Sequence, residues 1–111
     1  MQKLNILWTT DHKEVSERMI LLYAMNSKVK GWWDQVNLIV WGPSAKMIAE
    51  DTQIQAEIIE LINQGVTLES CKDCSDHYGV SELFEKMGIV VRFMGEPLTE
   101  YIKNGEKIIT F

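Results

Sequence analysis

Short apolar runs alternate with helix-forming segments along the whole chain, and this order constrains the fold more than any other feature. Each segment between two runs carries apolar residues at the three- and four-residue spacing of an amphipathic helix. Parallel strands need helical crossovers of this kind, whereas antiparallel strands can be joined by tight turns. The sequence therefore predicts a three-layer α/β/α domain with a mainly parallel five-stranded sheet. The five predicted strands are LNILWT, VNLIVW, VTLES, IVVRF and KIITF.

Residues that favour helix ends lie where these strands give way to helices. Asp11 follows the first strand and can cap the next helix, and Asp51 or Thr52 can cap the helix built on QIQAEIIELINQ. Pro43 suits the first turn of a short helix after the second strand. Gly88 suits the residue just past a helix end. These signals support the alternating order.

The composition is that of an ordinary soluble protein. A length of 111 residues suits one domain, which we expect to comprise residues 1–111. The formal net charge of −5 and the absence of a basic cluster make nucleic acid an unexpected partner. No positive leader precedes an apolar segment, and no apolar run has the length needed to cross a bilayer. We therefore expect a cytoplasmic protein without membrane insertion.

The carboxyl ends of the first three strands define the expected ligand-binding edge. In open parallel sheets, ligands bind beyond the carboxyl ends of the strands. The residues delivered there by the first two strands are our candidates for a binding pocket. Burial in the core or at a subunit contact is the commoner use of a tryptophan, and it is the alternative for both tryptophans of the set. The pocket candidates are Trp8, Thr10, Asp11, His12, Trp41, Gly42 and Ser44.

Cys71 is the candidate nucleophile, because it is predicted to lie where the third strand meets a helix. Backbone N–H groups and the helix dipole favour thiolate over thiol at such a junction. Lys72 adds a cation next to it in sequence. The alternative is a small buried residue without chemistry, which is a common role of free cysteine.

Cys74 completes a CxxC pair with Cys71, and the chain has no other cysteine. Thiols of cytoplasmic proteins are kept reduced, so the pair indicates reactive or metal-binding thiols before it indicates a structural disulfide. One alternative is a thioredoxin-like redox pair. Another is zinc held by both cysteines and His77, with His12 or Asp11 as a fourth ligand, but the local four-ligand set is incomplete. We expect no metal and no cofactor, since the phosphate-binding motifs GxGxxG and GxxxxGK are also absent, and the absence of GxSxG argues against a serine hydrolase.

Two stretches of the sequence resemble the DsrE-like (DsrE/DsrF-like) family of sulfur-relay proteins. They are NLIVWGPSAK and the segment from GVTLESCKDCSDHYG through MGEPLTEY to the final strand. The resemblance implies a parallel five-stranded α/β/α domain that assembles into homo-oligomers, commonly dimers, trimers or hexamers. It also implies that Cys71 accepts sulfane sulfur as a persulfide from a sulfur-donor protein and passes it to an acceptor protein. Cys74 departs from that pattern, which leaves a redox or persulfide-resolving step open.

Two classes of function follow from the sequence. The first is a sulfur carrier or sulfurtransferase subunit that uses Cys71. The second is a noncatalytic oligomeric protein that binds a small molecule in a tryptophan-lined pocket, with both cysteines incidental. Sulfur loading of Cys71 separates the two classes.

The incomplete ligand set around the cysteines generates a first prediction. Protein purified without chelator is expected to contain no stoichiometric zinc, because two cysteines and a histidine within seven residues do not close a tetrahedral site. Elemental analysis of the purified protein measures this. One zinc ion per chain that is lost on replacing Cys71 or Cys74 would contradict the prediction.

Overall fold

All five strands of the structure run parallel in a single sheet. The computed structural model describes residues 1–111. Its strands are β1 (Lys3–Trp8), β2 (Gln35–Val40), β3 (Thr67–Cys71), β4 (Val90–Arg92) and β5 (Lys107–Thr110). Their order across the sheet is β4-β3-β2-β1-β5, and every neighbouring pair is parallel. The predicted α/β fold class is confirmed, and the sheet is wholly parallel.

Helices connect every pair of consecutive strands. The first, α1, comprises α-helical Lys13–Val15, a π-helical turn Ser16–Leu21 and α-helical Leu22–Val29. The others are α2 (Pro43–Glu50), α3 (Thr52–Asn63), α4 (Lys72–His77), α5 (Ser81–Met87) and α6 (Gly95–Lys103). None of them is long and apolar enough to cross a membrane.

The helix ends agree with the sequence signals at three places and differ at one. Asp51 caps α3 by accepting the Ile54 N–H at 3.0 Å, and Pro43 opens α2. Gly88 ends α5 with a φ of 98°, a conformation that strongly favours glycine. The prediction that Asp11 caps α1 is wrong. His12 is the cap, because its Nδ1 atom accepts the Val15 N–H at 3.3 Å.

The direction of the crossovers decides which face of the sheet each helix covers. From β1 to β4 the chain steps outward strand by strand, and right-handed crossovers keep the helices between these strands on one side. The connection from β4 to β5 returns across the sheet, so the same handedness places α6 on the other side. We call these the main face and the α6 face. Only one helix covers the α6 face.

Each face has its own apolar cluster. The main face holds a core of 19 buried residues, to which β2 contributes Val36, Leu38 and Val40. Ile39, which lies between them in sequence, points the other way and packs with Cys71 and Met94 in a small cluster on the α6 face. Successive side chains of a strand point to opposite faces, which explains the division. The candidate nucleophile therefore belongs to the smaller layer.

Candidate thiol site

Cys71 occupies the junction between β3 and α4. It is the last residue of the strand and the N-cap of the helix, with extended backbone angles (φ −62°, ψ 116°). The residue is only 5% exposed and packs against Ile39 and Met94. The predicted strand-to-helix position is thus confirmed, and the thiol lies under cover at the carboxyl edge of the sheet.

Cys74 lies one helical turn later and is partly exposed. Its Sγ atom accepts the backbone N–H of Gly42 at 3.3 Å, which joins the β2–α2 loop to α4. Burial raises the pKa of the Cys74 thiol, the Gly42 N–H opposes this, and the neighbouring Cys71 thiol adds to the increase. Both cysteines are free thiols. Cys74 is therefore held mainly in its neutral form at neutral pH.

Gly42 can make this contact because of its backbone conformation. Its φ of 73° and ψ of −137° are strained for any residue with a Cβ atom. The turn aims its N–H at Cys74 and places Trp41 over the small cluster on the α6 face. Gly42 and Trp41 are therefore the pocket candidates that the fold brings beside the thiols.

The other pocket candidates lie elsewhere. Trp8 and Ser44 are fully buried, and the Ser44 hydroxyl donates to the Trp8 carbonyl at 2.6 Å. Both residues therefore belong to the core at the end of β1 and do not line an open pocket. The Thr10 hydroxyl accepts the His12 N–H at 3.1 Å. Asp11 lines a separate cleft of about 600 Å³ between α1 and α2.

Lys72 and His77 contact other side chains in the structure. The Lys72 ammonium binds Asp76 at 2.8 Å, a contact that raises the pKa of Lys72. The His77 ring stacks edge-to-face on Tyr78 with 5.0 Å between centroids. No group of three or more His, Cys, Asp and Glu side chains is arranged to hold a metal ion.

A buried carboxylate next to Cys71 is the feature that sequence reasoning missed. Glu69 precedes Cys71 by two residues and shares its face of the sheet, and it is 6% exposed. Its Oε1 atom accepts from Asn37 Nδ2 at 2.8 Å and from the Tyr101 hydroxyl at 2.5 Å. Its Oε2 atom accepts from Arg92 Nε at 2.7 Å, and Arg92 Nη2 also binds it. We call these four residues the Glu69 network.

Hydrogen bonding keeps Glu69 ionised in spite of its burial. Burial alone raises its pKa, but the donors Tyr101, Asn37 and Arg92 outweigh this effect, and the pKa of Glu69 is lowered. Burial and the nearby carboxylate raise the pKa of Tyr101 to about 12, so its hydroxyl remains a donor. The network thus pairs an ionised carboxylate with the Arg92 guanidinium and with two neutral donors, Asn37 and Tyr101.

The network is adjacent to the thiol and open to solvent on its other side. Arg92 is the direct cross-strand partner of Cys71, so both residues lie side by side at the end of the sheet. Towards the amino ends of the strands, Asn37, Glu69 and Arg92 line an open groove of about 750 Å³. The one feature of the sequence that could have indicated this network was a glutamate within the predicted strand VTLES, where a parallel strand is normally apolar.

Comparison with known proteins agrees with this geometry. The family model described as DsrE/DsrF-like matches residues 13–111. The chain belongs to the DsrE/DsrF-like family. This confirms the resemblance carried by the third strand and the cysteine that follows it. No curated protein sequence matches the chain.

Solved structures with this fold come from bacteria and an archaeon. A conserved protein of unknown function from Bacteroides thetaiotaomicron is 52% identical, with a TM-score of 0.97 over 99% of this chain and 95% of the other. The ychN protein from E. coli is 23% identical, and a protein of unknown function from Methanobacterium thermoautotrophicum is 15% identical. Both align over 100% of each chain with a TM-score of 0.73, which shows the fold they share with this DsrE/DsrF-like chain.

The Glu69 network generates a prediction about stability and pH. Glu69→Gln keeps the shape but removes the charge that holds Arg92, and we expect a loss of about 1–3 kcal/mol of unfolding free energy at pH 7. A lowered folded-state pKa stabilises the protein above the ordinary glutamate pKa of about 4.3 and loses that effect as pH falls through the folded value. The difference between wild type and variant should therefore shrink in acid. Urea unfolding at several pH values measures it.

Glu85→Gln provides the matched control, because Glu85 is an exposed glutamate on α5. It should leave the unfolding free energy unchanged at pH 7. Equal losses in the two variants, or a Glu69→Gln loss that persists unchanged in acid, would contradict the assigned role of the network.

Proposed function

We propose that this protein carries sulfane sulfur as a persulfide on Cys71 and delivers it to the thiol of a partner protein. Membership of the DsrE/DsrF-like family supports a sulfur-relay kind of protein. The observation that carries the finer proposal is the position of Cys71, a free thiol at the carboxyl edge of a parallel sheet and at a helix N-cap.

The transfer requires no external oxidant or reductant. The Cys71 thiolate attacks the outer sulfur of a donor persulfide, R–S–SH. A new S–S bond forms at Cys71 while the donor S–S bond breaks, and the donor leaves as the thiolate RS⁻. Delivery repeats the same exchange with the acceptor thiolate as nucleophile and Cys71 as the leaving group.

Cys74 offers a second outcome for the same intermediate. Its thiolate can attack Cys71 Sγ, which forms a Cys71–Cys74 disulfide and releases HS⁻. The raised pKa of Cys74 keeps the attacking thiolate scarce at neutral pH, so this resolving step is slow. Resolution is therefore expected to accelerate as pH rises towards the pKa of Cys74.

One observation favours the noncatalytic alternative. Cys71 is only 5% exposed, whereas an accessible groove of about 750 Å³ lies at the amino-end edge of the sheet. In that reading the chain binds a small molecule in the groove and its thiols only pack. A retained ligand in native mass spectra, together with thiols that accept no sulfur, would identify this function.

Intact mass after incubation with a small persulfide or polysulfide donor tests the carrier function. Reduced wild-type protein should gain one or more sulfur atoms that map to Cys71 and are removed by reductant. Cys71→Ala should not load. Cys74→Ser should load and should retain sulfur longer than wild type, because the resolving thiol is gone.

A control for thiol accessibility is needed, because a buried thiol would fail to load for a reason unrelated to function. Alkylation of the unloaded protein establishes that both thiols react under the conditions used. Loading that depends on Cys74 alone would move the assignment to that residue. Absence of loading on two accessible thiols would exclude the carrier function.

We further propose that the protein is a homo-oligomer. Several large apolar side chains are exposed to solvent, among them Phe93 at 65% and Val29 at 61%. Light scattering coupled to a sizing column at micromolar concentration should show a dimer, trimer or hexamer. A single monomeric species would refute this proposal without bearing on sulfur loading.

A further inference from the structure

Cys71 is covered by the segment that contains α6. Met94, the fully buried N-cap of this helix, belongs to one cluster with Cys71 and with Ile39 of β2. Leu98 and Tyr101 of α6 pack against the same cluster. Thiol exchange depends on access to the attacking sulfur, and Cys71 is only 5% exposed. A sulfur donor therefore needs part of this cover to move before it can reach the thiol.

Of all the helices, α6 is the least embedded in the fold. None of its residues, Gly95–Lys103, is buried, whereas every other helix contributes at least one buried residue. Its N-cap forms no side-chain hydrogen bond, in contrast to the Asp51 cap of α3. No second helix lies beside it on the α6 face. Elements with few buried contacts are the ones that open locally at low free-energy cost.

The other cover of the thiol is tied down more firmly. The Trp41 N–H donates to the Trp8 carbonyl at 3.1 Å, which fixes the loop to the end of β1. The Gly42 N–H donates to Cys74 Sγ at 3.3 Å, which fixes the same loop to α4. Movement of α6 is therefore the easiest way to expose Cys71.

One side chain connects α6 to the polar residues of the sheet. The Tyr101 hydroxyl donates to Glu69 Oε1 at 2.5 Å and accepts from Arg92 Nη2 at 3.0 Å. The Lys3 ammonium lies 4.2 Å from the centroid of the Tyr101 ring. The other side-chain hydrogen bond of the helix, from the Thr99 hydroxyl to the Gly95 carbonyl, stays within it. Hydrogen bonds to a carboxylate are stronger than those between neutral groups.

We propose that α6 is a gate over Cys71 and that Tyr101 is the residue that holds this gate closed. Opening breaks the contacts of Tyr101 with the sheet and lifts the apolar residues of α6 from the cluster around the thiol. The proposal rests on the proposed function and deepens it, because it names what controls access to Cys71. Cys74 is already partly exposed. The gate therefore controls one thiol and not the other.

Glycines at both ends allow the helix to move as a unit. Gly95 is its first residue, and Gly105 follows its end with a φ of 72°. A Cβ atom at either position would meet nothing within 4 Å, so neither turn is packed against the rest of the chain. Hinges are typically a few residues at the ends of an element that absorb the change in backbone angles.

Alkylation of each thiol by iodoacetamide, with no sulfur donor present, tests the gate. The rate at Cys71 is measured in a Cys74→Ser background, and the rate at Cys74 in a Cys71→Ser background. Tyr101→Phe keeps the ring and removes the hydroxyl that binds Glu69. We expect this change to accelerate alkylation of Cys71 roughly tenfold, because loss of a hydrogen bond to a carboxylate shifts the opening equilibrium by about that factor. The rate at Cys74 should stay the same.

Tyr78→Phe is the matched control. Tyr78 is a half-buried tyrosine that caps α4 and takes no part in the Glu69 network, so neither rate should change. Hydrogen exchange adds a readout that does not use cysteine. In Tyr101→Phe the backbone amides of α6 should exchange faster, while those of α3 keep their protection.

The possible outcomes separate the gate from the carrier function. Equal acceleration at both thiols would mean that Tyr101→Phe loosens the whole molecule, and it would overturn the gate, as would an unchanged rate at Cys71. Sulfur loading from a polysulfide donor should also accelerate roughly tenfold in Tyr101→Phe. If alkylation accelerates but no sulfur loads, the gate stands and the carrier function fails. If sulfur loads at the same rate in both proteins, the carrier function stands and the gate fails.

Discussion

The return of the chain from β4 to the far side of β1 determines most of what is distinctive in this molecule. Because right-handed crossovers place α6 alone on the second face of the sheet, that face is only partly covered. A fully covered parallel sheet is apolar on both sides. Here the α6 face instead combines a small apolar cluster around Cys71 with the Glu69 network, which borders an open groove at the amino-end edge of the sheet. The thiol site is a consequence of topology as much as of the CxxC motif.

Buried polar side chains on the α6 face do not destabilise the fold, because each one forms hydrogen bonds with a polar side chain of the neighbouring strand. Asn5 of β1 accepts from Asn37 of β2, which donates also to Glu69 of β3, and Arg92 of β4 closes the row. A buried carboxylate without donors would be costly, whereas one with four contacts is a fixed part of the fold. Since Arg92 is also the cross-strand neighbour of Cys71, the row holds the end of β3 in place next to the Cys71 thiol.

The sequence predicted what depends on local patterns and missed what depends on the assembled sheet. The succession of strands and helices along the chain, the Asp51 cap and the position of Cys71 follow from hydrophobic periodicity and capping chemistry, which act within a few residues. Asp11 was a reasonable cap, but the chain enters α1 one residue later and uses the ring nitrogen of His12. The π-helical turn at Ser16–Leu21 has no signature in the sequence. The Glu69 network joins residues from three strands and a helix, and only the register brings them together.

The two cysteines differ in how far they are exposed to solvent. Cys71 is covered, so a persulfide formed there would be shielded from stray thiols, while Cys74 sits at the exposed side with its proton retained by a raised pKa. If Cys71 carried a persulfide, a Cys74 thiolate could attack Cys71 Sγ, form the Cys71–Cys74 disulfide and release HS⁻, and the raised pKa of Cys74 opposes this step. The Gly42 N–H moderates the pKa of Cys74 without removing the effect of burial. The burial of both cysteines therefore supports the proposed carrier function, whereas the Gly42 N–H, which comes from a different loop, acts in the opposite direction on Cys74.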